Sequence, residues 1–241
     1  MDIYKYDQTD STNLRAKEKI LQGASLPCLL VANSQTDGRG RKGKSFYSPK
    51  DTGLYMTLAI PYNYIDSDQV SITSLTAVAV SLAIKEVCGI DTGIKWVNDL
   101  YIKDKKVCGI LTELVCESLS NTPLAIIIGI GINLSTKNFP SDIENNATSL
   151  FVNEDIKEKL CSKITDNILN IKDNSLMDEY RRLSIVLGKE ICYTVNGVVY
   201  DGVAVDINDK GHLEVLNSDG NKRVLSSGEI SLKLKKIRKI S

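Results

Sequence analysis

The stretch GRGRKGKSFYSP, residues 38–49, places glycines at 38, 40 and 43, which is the G-x-G-x-x-G spacing of a dinucleotide-binding turn. That turn requires a strand before the glycines and a helix after them, whose N-terminus meets a pyrophosphate. Here the glycines run into SFYSPKDTGLYMTLAI, where Pro49, Gly53 and a continuous apolar run read as loop and strand. A Rossmann unit is therefore excluded, and the stretch is not read as a phosphate-cradling P-loop. A kinase glycine loop does lie between strands, but the chain has no H-R-D catalytic loop and no D-F-G. What remains is a cationic segment with Arg39, Arg41, Lys42 and Lys44 on a glycine-rich backbone. Its arginines suit carboxylate or phosphate oxygens. Alone, it reads as a disordered basic surface loop.

Outward from this stretch, 241 residues suffice for one sizeable core or a core with a small appended domain. Thirty basic residues balance thirty acidic ones, which argues against wholesale nucleic-acid coating. The N-terminus lacks the pattern of a secretion signal, and SLTAVAVSLAIKEV reads as too short, and charged at its end, to span a bilayer. A cytoplasmic protein is expected. The cysteines at 28, 88, 108, 116, 161 and 192 show no C-x-x-C pair and read as reduced core residues. His212 is the only histidine and reads as a solvated strand-end residue, so a Ser-His-Asp hydrolase or a histidine metal cluster has little support.

DSTNLRAKEKILQG reads as a helix with Ser11 or Thr12 as N-cap and Gly23 as its stop. PCLLVANSQ and GLYMTLAIP read as strands. DSDQVSITSLTAVAVSLAIKEVCG is a long helix ending at Gly89. GIKWVNDLYIK, KKVCGILTELVCE and PLAIIIGIGINL are expected as three strands, the third buried mid-sheet. Gly129 and Gly131 in it admit a close ligand. NEDIKEKLCSKITDNILNIKD turns Ile156, Leu160, Ile164, Ile168 and Ile171 to the core, and SLMDEYRRLSIVLG is a short helix expected to end at Gly188. Five short alternating strands from about residue 189, with turns VNG, NDKG and SDGN, suggest a small β-barrel. The expected division is 1–186 and 187–241.

Polar residues inside apolar strands need a reason. KWVND places Lys95, Asn98 and Asp99 in one expected strand, Lys106 opens the next, and Asn133 follows the strand glycines. Together with the cationic loop they form a constellation for an anionic ligand with a metal ion. Cross-strand pairing of Lys95 with Asp99 is the plainer reading of part of the set.

In order along the chain stand DSTN at 10–13, Gln35 before GRGRKGKSFYSP, GLYMTLAI, KWVNDLYI, KKVCGILTE, GIGINL, ATSL at 147–150 and SGEISL at 227–232. This series resembles the biotin protein ligases, also called biotin-[acetyl-CoA-carboxylase] ligases, over almost the whole chain. The resemblance implies an α+β fold: a mixed β-sheet catalytic domain with flanking helices, like class II aminoacyl-tRNA synthetases, plus a small C-terminal SH3-like β-barrel. It implies joining of biotin to ATP with Mg2+, giving biotinyl-5'-AMP and pyrophosphate, then transfer to one lysine of a biotin carboxyl carrier protein or domain. No covalent enzyme intermediate is needed.

By the same resemblance Ser11, Thr12, Asn13 and Gln35 contact biotin, with Arg39, Gly40 and Arg41 closing over it and the adenylate. Lys106 meets the biotin carboxylate, and Gly109 and Gly131 line the biotin slot. Arg41, Phe46, Lys95, Asn98 and Asn133 fall to ATP. Lys106, Arg41, Asp99 and Lys95 form the catalytic set, Asp99 serving as metal ligand and as candidate to orient or deprotonate the acceptor amine. The family commonly has Trp where Phe46 stands, and some members have Pro where Val97 stands. Because DSTN begins at Asp10, a monofunctional ligase without an N-terminal DNA-binding domain is expected, acting on neither DNA nor membrane. A homodimer is compatible with the resemblance.

Two other readings stand beside this one. A lipoate or octanoate protein ligase of related architecture would carry a different Arg-Gly-Gly-rich loop followed by a histidine. A noncatalytic β-rich interaction module rests only on the C-terminal strands. The basic tail KLKKIRK is read as a solvated face.

Overall fold

The computed structural model describes residues 1–65, 68–171, 176–195, 197–228 and 230–232; the KLKKIRK tail lies outside them. Seven strands form one mixed sheet in the order β1-β2-β3-β7-β6-β5-β4. They are β1 (Asp2–Thr9), β2 (Cys28–Gln35), β3 (Gly53–Pro61), β4 (Gly93–Lys95), β5 (Asp99–Ile102), β6 (Lys105–Cys116) and β7 (Pro123–Asn133). β1 and β2 are parallel and the remaining neighbours are antiparallel. The sequence reading assigns no element to residues 2–9; β1 forms because Tyr4 and Tyr6 alternate with exposed neighbours and pack their rings beside the core under α1 (Thr12–Leu21).

β7 is central, as its apolar run requires. Its even residues Ile126, Ile128, Ile130 and Ile132 face the main core, built with α2 (Gln69–Cys88), α3 (Lys157–Leu169) and α4 (Met177–Leu183). Its odd residues Ala125 and Ile127 face a second core under α1. Further along that face the side chains give way to Gly129 and Gly131, so the two-residue period of a strand turns one face of one strand from core into cleft floor.

Asp68 caps α2 by accepting from the Ser71 N–H at 2.8 Å, and Gly89 ends it in the left-handed conformation at φ 72°. With 20 residues and mean hydropathy 1.5 over its most apolar window, α2 is long and apolar enough to cross a membrane, contrary to the sequence reading. That window is 72% buried inside the protein, which makes α2 a core helix. On α3, Leu160, Ile164 and Ile168 are fully buried, whereas Ile156 lies before its first residue and is half-buried.

α4 stops at Leu183 rather than at Gly188. The chain leaves the helix because Ser184 bridges Ile94 beside β4 and the Ile185 N–H donates to the Ile94 carbonyl at 2.9 Å. The closing strands β8 (Glu190–Val195), β9 (Val198–Ile207), β10 (Leu213–Asn217), β11 (Lys222–Leu225) and β12 (Ile230–Leu232) pair in the order β11-β10-β9-β8-β12. This is a five-stranded antiparallel sheet, and among the described residues no pair joins β11 to β12 into a closed barrel. Its inward residues Ile191, Ala204, Leu213 and Val215 merge with the main core. His212 is 19% exposed with Nε2 3.9 Å from Asp68 Oδ2, so it is partly enclosed rather than solvated. Cys28, Cys88, Cys108, Cys116 and Cys161 are free thiols.

Candidate active site

KWVND is not one strand. β4 ends at Lys95, β5 begins at Asp99, and the two pair antiparallel with Lys95 opposite Asp99. Trp96, Val97 and Asn98 form the turn between them. Tertiary contacts hold that turn: the Trp96 indole N–H donates to the Gly211 carbonyl at 2.8 Å, and the Tyr180 hydroxyl to the Val97 carbonyl at 3.1 Å. Trp96 and Tyr180 are buried, so each polar tip has a partner where it needs one. Asn98 then reaches β6, its Nδ2 donating to the Ile110 carbonyl at 2.9 Å.

The glycine-rich stretch is a tight hairpin loop between β2 and β3. Arg39 bridges Ser45, Gly40 N–H donates to the Lys44 carbonyl and Phe46 N–H to the Gly38 carbonyl, both at 2.7 Å. A Cβ on Gly38 would stand 2.3 Å from the Phe46 carbonyl oxygen, so this glycine is required by close approach. Gly38 to Ser45 also matches the spacing G-x-x-x-x-G-K-S, which the sequence reading passes over. A phosphate loop of that pattern opens a helix, whereas here the backbone makes one 3-10 turn, Arg41–Gly43, and returns to a strand.

Between this loop and the sheet lies a cleft of about 310 Å3. Adjacent rows of the sheet form its floor. One row aligns Tyr55, Gly131, Gly109 and Asp99, and the next aligns Thr57, Gly129 and Leu111. The Phe46 ring rests on the first row: a Cβ on Gly131 would meet it at 2.5 Å and one on Gly109 at 3.3 Å. Its edge faces Tyr55, with ring centroids 6.4 Å apart.

At one end of the cleft the lining side chains are uncharged: Ser11, Thr12 and Asn13 are nearly fully buried and Gln35 is half-buried. Thr12 N–H donates to Gln35 Oε1 at 2.9 Å, and Gln35 Nε2 donates to Ser48 Oγ at 2.9 Å. Asn13 Nδ2 donates to Glu113 Oε2 at 2.7 Å, and Thr57 Oγ1 lies 2.7 Å from Asn13 Oδ1. Ser11 and Thr12 are 2% and 3% exposed. Asp10 fixes the start of α1, accepting from Ser11 N–H and from both Nε and Nη2 of Arg15. The Arg15 hydrogen bonds hold its carboxyl below the usual range.

The other end is charged. Arg39, Arg41, Lys44, Lys95 and Lys106 line it, and Asp99 is the one acidic residue among the described lining residues. Lys106 Nζ sits 2.7 Å from Asp99 Oδ1, both partly buried, so Asp99 forms an ion pair with Lys106. Arg41 Nη1 donates to Asn98 Oδ1 at 3.2 Å. Lys95 Nζ stands 5.5 Å from the centre of the Tyr101 ring, and burial pushes the Tyr101 hydroxyl up to about 12. An isolated bridge to Ala147 holds the Lys106 backbone, whose N–H donates to the Asn146 carbonyl and whose carbonyl accepts from Thr148 N–H, both at 2.8 Å. Such an end selects an anion of more than one charge.

Ser11, Thr12, Asn13, Gln35, Arg39, Gly40, Arg41, Phe46, Lys95, Asn98, Asp99, Lys106, Gly109 and Gly131 all line this cleft. Asn133 does not: it is 4% exposed, its Nδ2 donates to the Thr148 carbonyl at 3.0 Å, and its Oδ1 has no protein partner. Sequence reasoning missed Thr57, Ser48, Glu113, Tyr55 and Tyr101. Thr57, Glu113 and Tyr55 stand on the site face of their strands, so the strand period carried a signal for them; Ser48 had none. No group of three or more His, Cys, Asp or Glu among the described residues is placed to hold a metal.

Comparison with known proteins places this chain in a family. Residues 6–133 match the model described as the Biotin/lipoate A/B protein ligase family, and residues 186–233 the Biotin protein ligase C terminal domain. The Bifunctional ligase/repressor BirA of Bacillus subtilis is 32% identical over 92% of this chain and 71% of its own length. The Biotin--[acetyl-CoA-carboxylase] ligase of Mycobacterium tuberculosis is 27% identical over 92% of this chain and 86% of its own. The structure of the biotin protein ligase from Aquifex aeolicus in complex with biotin and ATP superimposes with a TM-score of 0.80 at 27% identity, covering 96% of this chain and 98% of that one.

Proposed function

The chain belongs to the Biotin/lipoate A/B protein ligase family, and on that premise we propose that it adenylates biotin with ATP and transfers the biotinyl group to a lysine of a biotin carboxyl carrier domain. The observation that carries this reading is one cleft with two chemically opposite ends, neutral at Thr12, Asn13 and Gln35, cationic at Arg39, Arg41, Lys95 and Lys106. A substrate with an uncharged polar head and a carboxylate tail fits such a cleft lengthwise. Its carboxylate then lies where ATP phosphates are also attracted.

The reaction brings two anions together, so its barrier is lowered by positioning and by fixed cations. In this assignment Lys106 and Arg41 neutralise the carboxylate and the α-phosphate, and Asn98 aims Arg41. The biotin carboxylate oxygen attacks the α-phosphorus as pyrophosphate leaves. In the second step the acceptor lysine attacks the acyl carbon and AMP leaves, with Asp99 placed to take the proton from that amine. The buried acceptor Asn133 Oδ1 suits an amino group of the nucleotide base, although its residue is not on the cleft wall. One carboxylate, already paired with Lys106, fits a Mg2+ that arrives on the phosphates with Asp99 as a single protein ligand, rather than a protein-built cage. When bound there, Mg2+ offsets triphosphate charge. The free thiols of Cys28, Cys88, Cys108, Cys116 and Cys161 support a reducing compartment such as the cytoplasm.

The direct test is biotin-dependent exchange of labelled pyrophosphate into ATP with Mg2+, repeated with lipoate and octanoate. Exchange with biotin alone is expected. Exchange with lipoate or octanoate but not biotin favours the sister activity of the same family, and no exchange from folded protein overturns the proposal.

A further inference from the structure

Glu113 has no part in the assignments above and does not line the cleft, yet it accepts from Asn13, which does. It lies on the site face of β6, opposite Ile127 of β7, half-buried, with Oε2 2.7 Å from Asn13 Nδ2. An ionised carboxylate only accepts hydrogen bonds, so Asn13 turns its NH2 toward β6. Its second amide hydrogen has the Leu111 carbonyl at 3.4 Å. Asn13 Oδ1 consequently faces Thr57 at 2.7 Å. Asn13 cannot retreat downward or be pushed up without loss, because it lies directly on Gly129, where a Cβ would stand 2.2 Å from its Oδ1.

The hydrogens can now be followed. Thr57 Oγ1 lies 2.7 Å from Asn13 Oδ1 and 2.8 Å from Thr12 Oγ1, and Thr12 Oγ1 lies 3.1 Å from Gln35 Oε1. Two hydroxyl hydrogens can fill only two of these three oxygen–oxygen contacts: with Asn13 Oδ1 an acceptor only, the Thr57 hydrogen goes to it, and the Thr12 hydrogen goes to Thr57 Oγ1 or to Gln35 Oε1. What Thr12 Oγ1 and Gln35 Oε1 retain is lone pairs. Resting on the biotin reading of the cleft, we propose that Glu113 is a positioning residue for substrate selection. By fixing the direction of the Asn13 amide it commits the Thr57 hydrogen to Asn13 Oδ1 and so leaves lone pairs of Thr12 Oγ1 and Gln35 Oε1 at this end, matched to a head group that brings N–H donors, such as the cyclic urea of biotin.

The test is a double-mutant cycle on the full-length protein, read by biotin-dependent pyrophosphate exchange, once wild-type exchange has been measured. Absence of exchange in the wild type sinks the biotin reading itself, independently of Glu113. Given exchange, Glu113→Gln keeps side-chain volume but introduces N–H donors beside Asn13. KM for biotin is expected to rise about fivefold, as for loss of one hydrogen bond, with kcat and KM for ATP within about twofold. In an Asn13→Ala background Glu113→Gln should change KM no further, because the effect passes through Asn13. Unchanged KM in Glu113→Gln, or a full additional rise in the Asn13→Ala background, overturns the proposal. Should Glu113→Gln fail to fold by circular dichroism, Thr57→Val breaks the same chain one link away and is held to the same two outcomes.

Discussion

The two ends of the cleft are built by opposite strategies. At the neutral end, Ser11, Thr12, Asn13, Thr57 and Ser48 are buried to within a few percent, and their hydrogen bonds run from residue to residue until Ser48 donates to the Phe46 carbonyl. At the cationic end Arg39 and Lys44 are exposed and Arg41, Lys95 and Lys106 are half-buried. A buried neutral chain discriminates by shape and hydrogen-bond direction, because an unmet partner there costs its full desolvation. A half-open cluster of positive charge attracts by number and sign, and salt weakens it. On the proposed function, the difference would separate recognition from reaction along one cleft, with the Gly109–Gly131 floor and the Phe46 ring between them.

The sharpest way to break this contrast is at its charged extreme. Lys106→Met keeps the stem and removes the charge, and exchange kcat is expected to fall about 1000-fold; a fall of less than tenfold would move the reacting centre away from Lys106. At the neutral extreme, Gly129→Ala drives a methyl into Asn13, and KM for biotin should rise about 100-fold, the scale of a misplacement near 1 Å, while KM for ATP moves little. Gly131→Ala meets the Phe46 ring instead. That ring stands on a loop that can shift, so about a tenfold rise in KM for biotin is expected, and a larger rise than for Gly129→Ala would refute the view that the neutral end is the rigid one. Ionic strength sharpens the comparison without mutation. Raising salt from about 0.05 to 0.5 M shortens the screening length to several ångströms, so KM for ATP should rise about fivefold and KM for biotin by clearly less.

The smallest effect concerns the support of the neutral end. The Asp10 carboxyl is held below the usual carboxylate range, first by its hydrogen bonds from Arg15. A carboxyl with a depressed folded pKa contributes stability above its unfolded pKa and loses it as pH falls through the folded value. Thermal melts should therefore show wild type losing part of its advantage over Asp10→Asn below about pH 4, and parallel curves from pH 3 to 7 would remove Asp10 from the account. Because this pair is about one-third exposed, a modest shift is expected.

Much of the cleft is legible in the residues themselves. Glycines at 129 and 131 in a continuous apolar strand announce a floor, since no packing reason favours them there, and the cationic loop announces an anion. Other features are not local. KWVND reads as a strand because tryptophan and valine favour one, yet Trp96 and Val97 turn, held by Gly211 and Tyr180 over a hundred and over eighty positions away. Ser184 to Leu187 carry a helical pattern, but Ser184 and Ile185 meet the backbone of Ile94, and the helix ends.

By itself, then, the sequence determined which strands are buried on two faces, where the backbone lacks side chains and where positive charge gathers, because periodicity, glycine and charge act within a few residues of themselves. Only the tertiary structure decided that Asp99 pairs with Lys106, that Asn133 stands off the cleft wall, and that Glu113 governs the Asn13 amide. Those are contacts between strands and helices far apart in the chain. Hydrogen-bond direction depends on which acceptor arrives from across the sheet, and no local pattern records it.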